Sequence, residues 1–404
     1  MHDDIVWRLP AYGSRSFDLL PATVERLFTG RAGGLDIDTA PLDDRYDHVV
    51  LIYFDAFGWR FVEQHGDHPL LRDAVAVERL TSQFPSTTTV HTPTIHSGLP
   101  VAEHGLYEWH VLEPSLNRLV TPLLFCFAGD DAMDGLTAEG VPPDSMFPRA
   151  SFYERLARDG IPAHVAQPAA FAGSVSSRCM LRGSTVHPFV TTTEALAAVG
   201  ASLSAEERAY GFVYLPEVDS LMHHAGPDGK EVASLFETTL SAIDEAVRGN
   251  VFPAGTLVLV TADHGMAAVS PERTSYVNVV WPGIAEFLAL GADGKPLAPA
   301  GSCRDLFLHV RPGEVEHVVG TLAASLDGVA EVHPVEQLVQ QGLFGPAPSA
   351  ALRARLADVV CLPYAGEAVY WLEPGRFEQR FNGQHGGLTP EEMDIPLVAS
   401  VTDS

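Results

Sequence analysis

The chain has 404 residues, 46% of them hydrophobic, which is enough for a large core and more than a single small domain needs. Its 52 acidic against 25 basic residues give a formal charge of −27. A surface of that sign repels a nucleic-acid backbone and an anionic lipid face, so polymeric nucleic acid and membrane are set aside as partners. A small phosphate compound stays open, because metal ions can meet its charge locally. Cys126, Cys179, Cys303 and Cys361 are widely spaced, with no CxxC pair, and read as reduced core thiols. The opening MHDDIVWRLPAYGSRS has neither a basic nor an apolar leader region, and no apolar run has the length of a membrane span, so the expected location is cytoplasmic.

Taken in chain order, residues 1–45 read as an arm and a helix, with LLPATVERLF (19–28) carrying Pro21 in its first turn. HVVLIYFDAFG (48–58) is a continuous apolar, β-branched run that ends in Asp55, as suits a strand buried on both faces of a parallel sheet. QFPSTTTVHTPTIHSG (83–98) reads by local propensity as a threonine-rich turn between strands. The buried-strand pattern recurs in GFVYLPEVDS (211–220), which ends in Asp219, and in TLVLVTADHG (256–265), which ends in Asp263 and His264. Helical patterns lie between, at 151–160, 193–203 and 230–249. Alternation of this kind predicts a doubly wound, largely parallel α/β sheet. Residues 275–380 are richer in Gly and Pro, with a strand–helix–strand–helix pattern over 306–339. They are expected to form a smaller α+β insert or cap on a core made of 1–274 and 381–404, with VYWLEP (369–374) as a returning strand. NGQHGGLTPEEMDIPLVAS (382–400) reads as a loop followed by a short apolar strand.

In open α/β sheets ligands bind beyond the carboxyl ends of the strands, and here three strands end in aspartate. Asp219 and His223 stand one helical turn apart, Asp263 and His264 are adjacent, and His385 sits beside glycines. These six oxygen and nitrogen donors, with no thiolate, suit two divalent ions, zinc first and manganese as the alternative. Three carboxylates in one pocket repel one another strongly without cations; two divalent ions leave the pocket slightly positive, the right sign for an anionic substrate. Two ions about 3.5–4 Å apart form a clamp for displacement at phosphorus. A threonine hydroxyl is a poor nucleophile until a metal activates it, which gives the hydroxyls of FPSTTT a use.

The pieces YFDAFG, FPSTTTVHTPTIHSGLPVAEHG, PEVDSLMHHAGP, TADHGM and NGQHGG, in that order, resemble the alkaline phosphatase superfamily and within it the type I phosphodiesterase/nucleotide pyrophosphatase branch. The resemblance implies that Asp55, Asp263 and His264 hold one ion together with the nucleophile, and that Asp219, His223 and His385 hold the other. It places the nucleophile at Thr88, with Thr87 and Thr89 as fallbacks. It implies phosphodiester or pyrophosphate hydrolysis through a phosphothreonine, on small phosphate esters or nucleotide-like substrates. A phosphomonoesterase or phosphonate hydrolase is the alternative on the same scaffold. The absence of Arg and Lys from 83–98 favours diesters. Trp109 stands where branch members commonly carry an asparagine that donates to a phosphoryl oxygen, and it is the candidate substrate-contacting residue. His91, His96, His104 and His110 are expected to be structural, His224 to yield to His223, and Phe57, Phe84 and Tyr107 to pack in the core.

Overall fold

The computed structural model describes residues 6–35, 45–130 and 132–403. Parts of the arm read into 1–45 therefore lie outside the described residues. Among the described residues the main sheet has seven strands: β1 (His48–Phe54), β2 (Ala76–Thr81), β3 (Ala163–Pro168), β4 (Thr185–Phe189), β5 (Ala209–Leu215), β6 (Leu257–Thr261) and β7 (Asp394–Val401). Their order across the sheet is β2-β7-β6-β1-β5-β3-β4. β1 lies at the centre, parallel to β5 and to β6, and every residue from Val49 to Phe54 is buried. Of these seven strands β7 alone runs the other way, antiparallel to both β6 and β2. The largely parallel α/β sheet is thus present, and its one reversed strand has a consequence for the site.

Helices cover the faces of the sheet. α1 (Leu20–Thr29) starts with Pro21 in its first turn and stops at Gly30, whose φ of 70° is the left-handed conformation that ends helices. α2 spans Thr88–Ser97, α3 Glu217–Ala225 and α4 Lys230–Arg248. α4 buries Val232, Phe236, Leu240, Ile243 and Val247, the three- and four-residue spacing of one helical face. α2 corrects the turn reading of the threonine run. Threonine costs a few tenths of a kcal/mol per helical position, but here Val90, Thr94 and Ile95 are buried, and tertiary packing overrides the propensity. Gly98, at φ 73°, closes it. Asp219 is likewise not at a strand end; it lies in the first turn of α3, after β5 has finished at Leu215.

A second, four-stranded antiparallel sheet is made from 300–301, 306–308, 359–363 and 330–334, in that order across the sheet. Residues 111–127 form a small three-stranded sheet that the sequence pattern did not announce. The two share an apolar cluster: Val111, Val120 and Phe125 pack with Ala300, Phe307, Val360 and Leu362, and Phe84, ahead of α2, and Val90, in its first turn, join it. Residues 369–370 do pair, but only as a two-residue strand parallel to 275–276. Among the described residues no helix is long and apolar enough to cross a membrane, and the four cysteines are unbridged.

Candidate active site

The parallel strands deliver their loops to one edge. Asp55 follows the last residue of β1, Asp263 and His264 follow β6, and Asp219 and His223 stand on α3 just beyond β5. β2 also ends at this edge and leads through 82–87 to Thr88, the first residue of α2. Because β7 is reversed, it begins here, with Asp394 opposite Thr81, and so the loop before it brings in His385.

His264 Nε2 lies 3.1 Å from Asp263 Oδ2 and 3.5 Å from Asp55 Oδ1. Thr88 Oγ1 is 3.2 Å from the same nitrogen. Asp219 faces His223 Nε2 at 3.4 Å with one oxygen and His385 Nε2 at 3.8 Å with the other. Two clusters close enough to share an ion result: Asp55, Asp263 and His264, and Asp219, His264 and His385. His264 belongs to both, its ring stacked on His385 with centroids 3.6 Å apart. His223 approaches Asp219 from outside this tighter grouping, while His224, also on α3, is involved in neither cluster.

Hydrogen bonding shows whether these donors suit cations. Asp55 Oδ1, Asp219 Oδ1 and Asp263 Oδ2 are buried and have no hydrogen-bond partner among the described residues. Leaving such atoms unpaired is costly, so they call for a cation or a proton. The histidines agree. His223 Nδ1 meets the carbonyl of Gly383 at 2.9 Å, His264 Nδ1 that of Gly265 at 2.8 Å, and His385 Nδ1 that of Ser86 at 3.0 Å. A carbonyl can only accept, so each Nδ1 carries a proton, and in the neutral ring each Nε2 turns a lone pair to the site. His91 provides the contrast: its Nε2 is taken up by the N–H of Gln83 at 2.9 Å. His96, His104 and His110 are buried as well and stand in neither cluster, and burial pushes them down to about 3, about 3 and about 4.

Charge is unevenly settled among the acids. Burial, then the charge of Asp263, pushes the Asp55 carboxyl well above its usual range. Burial works against ionisation of Asp263 and Asp219 too, but His264 beside the first and His223 beside the second outweigh it and bring both down.

Among the three threonines, Thr87 is 2% exposed and Thr89 fully buried, while Thr88 opens to the cleft. Thr87 makes no side-chain cap on α2. The Val90 N–H of the first turn is taken by the carbonyl of Thr87 at 3.0 Å. The N–H groups before it, those of Thr88 and Thr89, have no intrahelical acceptor and are the donors that a helix start offers an anion. The cleft holds about 940 Å³ and extends past Trp109, Phe171, Met180, Tyr370, Arg376 and Phe381. Trp109 is 39% exposed on its wall. Phe57, Phe84 and Tyr107 are fully buried packing residues.

Two features escaped the sequence reading. Tyr214 donates from its hydroxyl to Asp55 Oδ2 at 2.6 Å, leaving Oδ1 to face the site; a tyrosine inside an apolar strand needs such a partner, which was the available signal. Glu108 and Asp305 form a fully buried acid pair beside Gly386, with no basic side chain paired to either among the described residues. Burial pushes Glu108 up to about 8. A carboxyl whose folded value is raised contributes most below its unfolded value, and that contribution is lost as pH rises to about 8. Glu108→Gln, neutral at every pH, is therefore expected to gain stability over the parent between about pH 5 and 8, by up to about 1.4 kcal/mol per unit. Urea unfolding at the two pH values checks this; equal gains at both would show that Glu108 titrates normally.

Comparisons with known proteins follow the same line. Residues 49–387 match the family described as type I phosphodiesterase/nucleotide pyrophosphatase. Human ectonucleotide pyrophosphatase/phosphodiesterase family member 7 is 21% identical over 371 residues, 87% of this chain and 73% of that protein. Murine ectonucleotide pyrophosphatase/phosphodiesterase 5, solved as an inactive variant with AMP, superposes with a TM-score of 0.66 at 18% identity over 88% of each chain. Phosphonoacetate hydrolase from Sinorhizobium meliloti, solved with phosphonoformate, gives a TM-score of 0.59 at 17% identity, over 88% of this chain and 90% of that one.

Proposed function

Because the chain belongs to the type I phosphodiesterase/nucleotide pyrophosphatase family, we propose that its site hydrolyses a phosphodiester or pyrophosphate bond with two divalent ions and Thr88 as nucleophile. The observation that carries the ion requirement is the set of three orphaned carboxylate oxygens among histidines that all present Nε2. In this reading Asp55, Asp263 and His264 would hold one ion together with Thr88, and Asp219, His223 and His385 would hold the other. Zinc fits the donor set best, and manganese is tolerated by the same atoms. When bound, the ions supply Lewis acidity that favours the Thr88 alkoxide and offsets charge on the phosphoryl oxygens.

The chain's own groups do the rest. Thr88 Oγ would form a bond to phosphorus as its hydroxyl proton is lost, while the ester oxygen on the opposite side leaves with the bonding pair and takes up a proton in turn. Water then attacks the phosphothreonine and returns the threonine hydroxyl. The N–H groups of Thr88 and Thr89, at the start of α2, would donate to a phosphoryl oxygen throughout. The size and aromatic wall of the cleft support a small, nucleotide-like ester as substrate.

A monoester or phosphonate would bring one more negative charge, and Arg376 and Arg380 do line the cleft. Both are already engaged, Arg376 with the carbonyl of Ala128 and Arg380 with Glu378, so diesters remain favoured. The deciding measurement is kcat/KM for an aryl phosphodiester against its monoester, with zinc and with a chelator. A diester preference abolished by chelation is expected; a monoester preference would move the assignment to the phosphatase or phosphonate-hydrolase side.

A further inference from the structure

His385 sits in a glycine-rich loop, and something must hold that loop still. We propose that the buried Arg304–Glu392 pair is a latch through which segment 302–305 fixes the His385 loop and sets the affinity of the ion that His385 would hold. The proposal rests on the two-ion reading above.

Both side chains are fully buried. The guanidinium meets the carboxylate as a fork, Nε to Oε1 and Nη2 to Oε2, each at 2.9 Å. Nη1 is anchored in turn on the carbonyls of Tyr364, at 2.9 Å, and Glu367. The same two carboxylate oxygens reach forward to the loop. Oε1 accepts from the N–H of Gly387 at 3.0 Å, and Oε2 from the N–H and hydroxyl of Thr389 at 3.3 and 2.7 Å. A Cβ on Gly387 would lie 2.8 Å from Oε2, so the loop lies directly on the carboxylate. Ser302 adds a contact at 3.2 Å to the carbonyl of His385 itself.

Opposite the latch stands Ser86, which holds the loop to the nucleophile segment. Its hydroxyl donates to the Gly387 carbonyl at 2.8 Å and lies 3.2 Å from the Gly386 N–H. His385 is therefore aimed from two sides, by Ser86 and by the Arg304–Glu392 pair. Neither latch residue is one of the metal-ligand candidates, so both are positioning residues. Glu392 also touches the neighbourhood of His264, through its backbone carbonyl to the Gly265 N–H at 2.8 Å. That contact does not depend on the side chain, which confines the expected effect to the His385 ion.

A buried ion pair lends itself to a clean test. Removing one partner strands a charge and endangers the fold, whereas replacing both by apolar side chains of similar size is often neutral for stability. Arg304→Met/Glu392→Met strands no charge but leaves the Gly387 and Thr389 N–H groups and two carbonyls without these partners, so it is expected to stay folded while unfolding at a lower temperature than the parent. It should bind one of its two ions roughly 10- to 100-fold more weakly, the usual cost of losing an outer partner of a ligand. Diester turnover should recover as zinc is raised to saturation, which a general loosening of the fold would not allow. Metal content after dialysis, and zinc titration against a competing chelator, give the readout. Should the double variant fail to fold, Arg304→Lys, which keeps the charge but not the fork, is expected to weaken the same ion to a smaller degree. Two ions held at parental affinity in either folded variant would overturn the latch alone. A parent protein that holds fewer than two ions would overturn the two-ion reading as well.

Discussion

Thr88→Ala is expected to lower kcat for the diester by about 10⁴- to 10⁶-fold, the scale on which removal of an attacking nucleophile acts. The loss should leave metal content unchanged, since Asp55, Asp263, His264, Asp219, His223 and His385 all remain. The neighbours set the control. Thr87 and Thr89 are buried, so alanine there should disturb packing without removing the reaction. The parent enzyme quenched in acid during turnover should carry a phosphoryl group within residues 83–98, and Thr88→Ala should carry none. Full activity in Thr88→Ala would reassign the nucleophile to one of its neighbours or to water.

Stripping the divalent ions is expected to take diester hydrolysis to background, with zinc or manganese restoring it. The stripped protein should also unfold more easily, because three buried carboxylates lose the charge that offsets them. An ion held at a thousandfold excess over its Kd adds about 4 kcal/mol to stability per site. The sign of the pH dependence follows from the ligands. In the ion-free protein Asp55 is raised by burial and the charge of Asp263, so its contribution is present in acid and lost as pH rises through its folded value. His264 and His223 are raised as well, burial being outweighed by Asp263 and Asp219 respectively, and their protonated forms add stability that also fades with rising pH. Ions bind only the deprotonated ligands. The stabilisation on adding zinc should therefore grow from pH 6 to pH 8, as thermal unfolding would show; a constant or shrinking increment would mean that these groups are not the ligands.

Much of the core was legible because buried parallel strands leave long unbroken apolar runs. HVVLIYF and LVLVT are such runs, and the aspartates that follow them mark the edge where the loops gather. The amphipathic spacing of α4 was equally plain. The threonine run was not legible, since local propensity speaks for a turn and only packing against Phe84 and its neighbours in the shared cluster makes it a helix. Residues 111–127 gave short, weakly alternating strands of two to four residues, below what periodicity can detect. His223 was legible from its spacing to Asp219, but the closeness of His264 to His385 depends on how two distant loops meet, which spacing does not encode. Arg304 and Glu392 lie 88 positions apart, and nothing local to either marks them as a pair.

The reversed strand β7 also fixes when the centre can exist. Synthesis proceeds from the N-terminus, and domains fold as their segments become available. Asp55, Asp219 and Asp263 are made long before residue 385, and until β7 pairs between β2 and β6 the His385 loop has no fixed place. A growing chain thus carries the acids of the centre well ahead of the histidine that completes it. On the two-ion proposal metal capture would be a late event, after translation has passed the last strand, and a polypeptide truncated before β7 would lack both the strand between β2 and β6 and the place for the His385 loop.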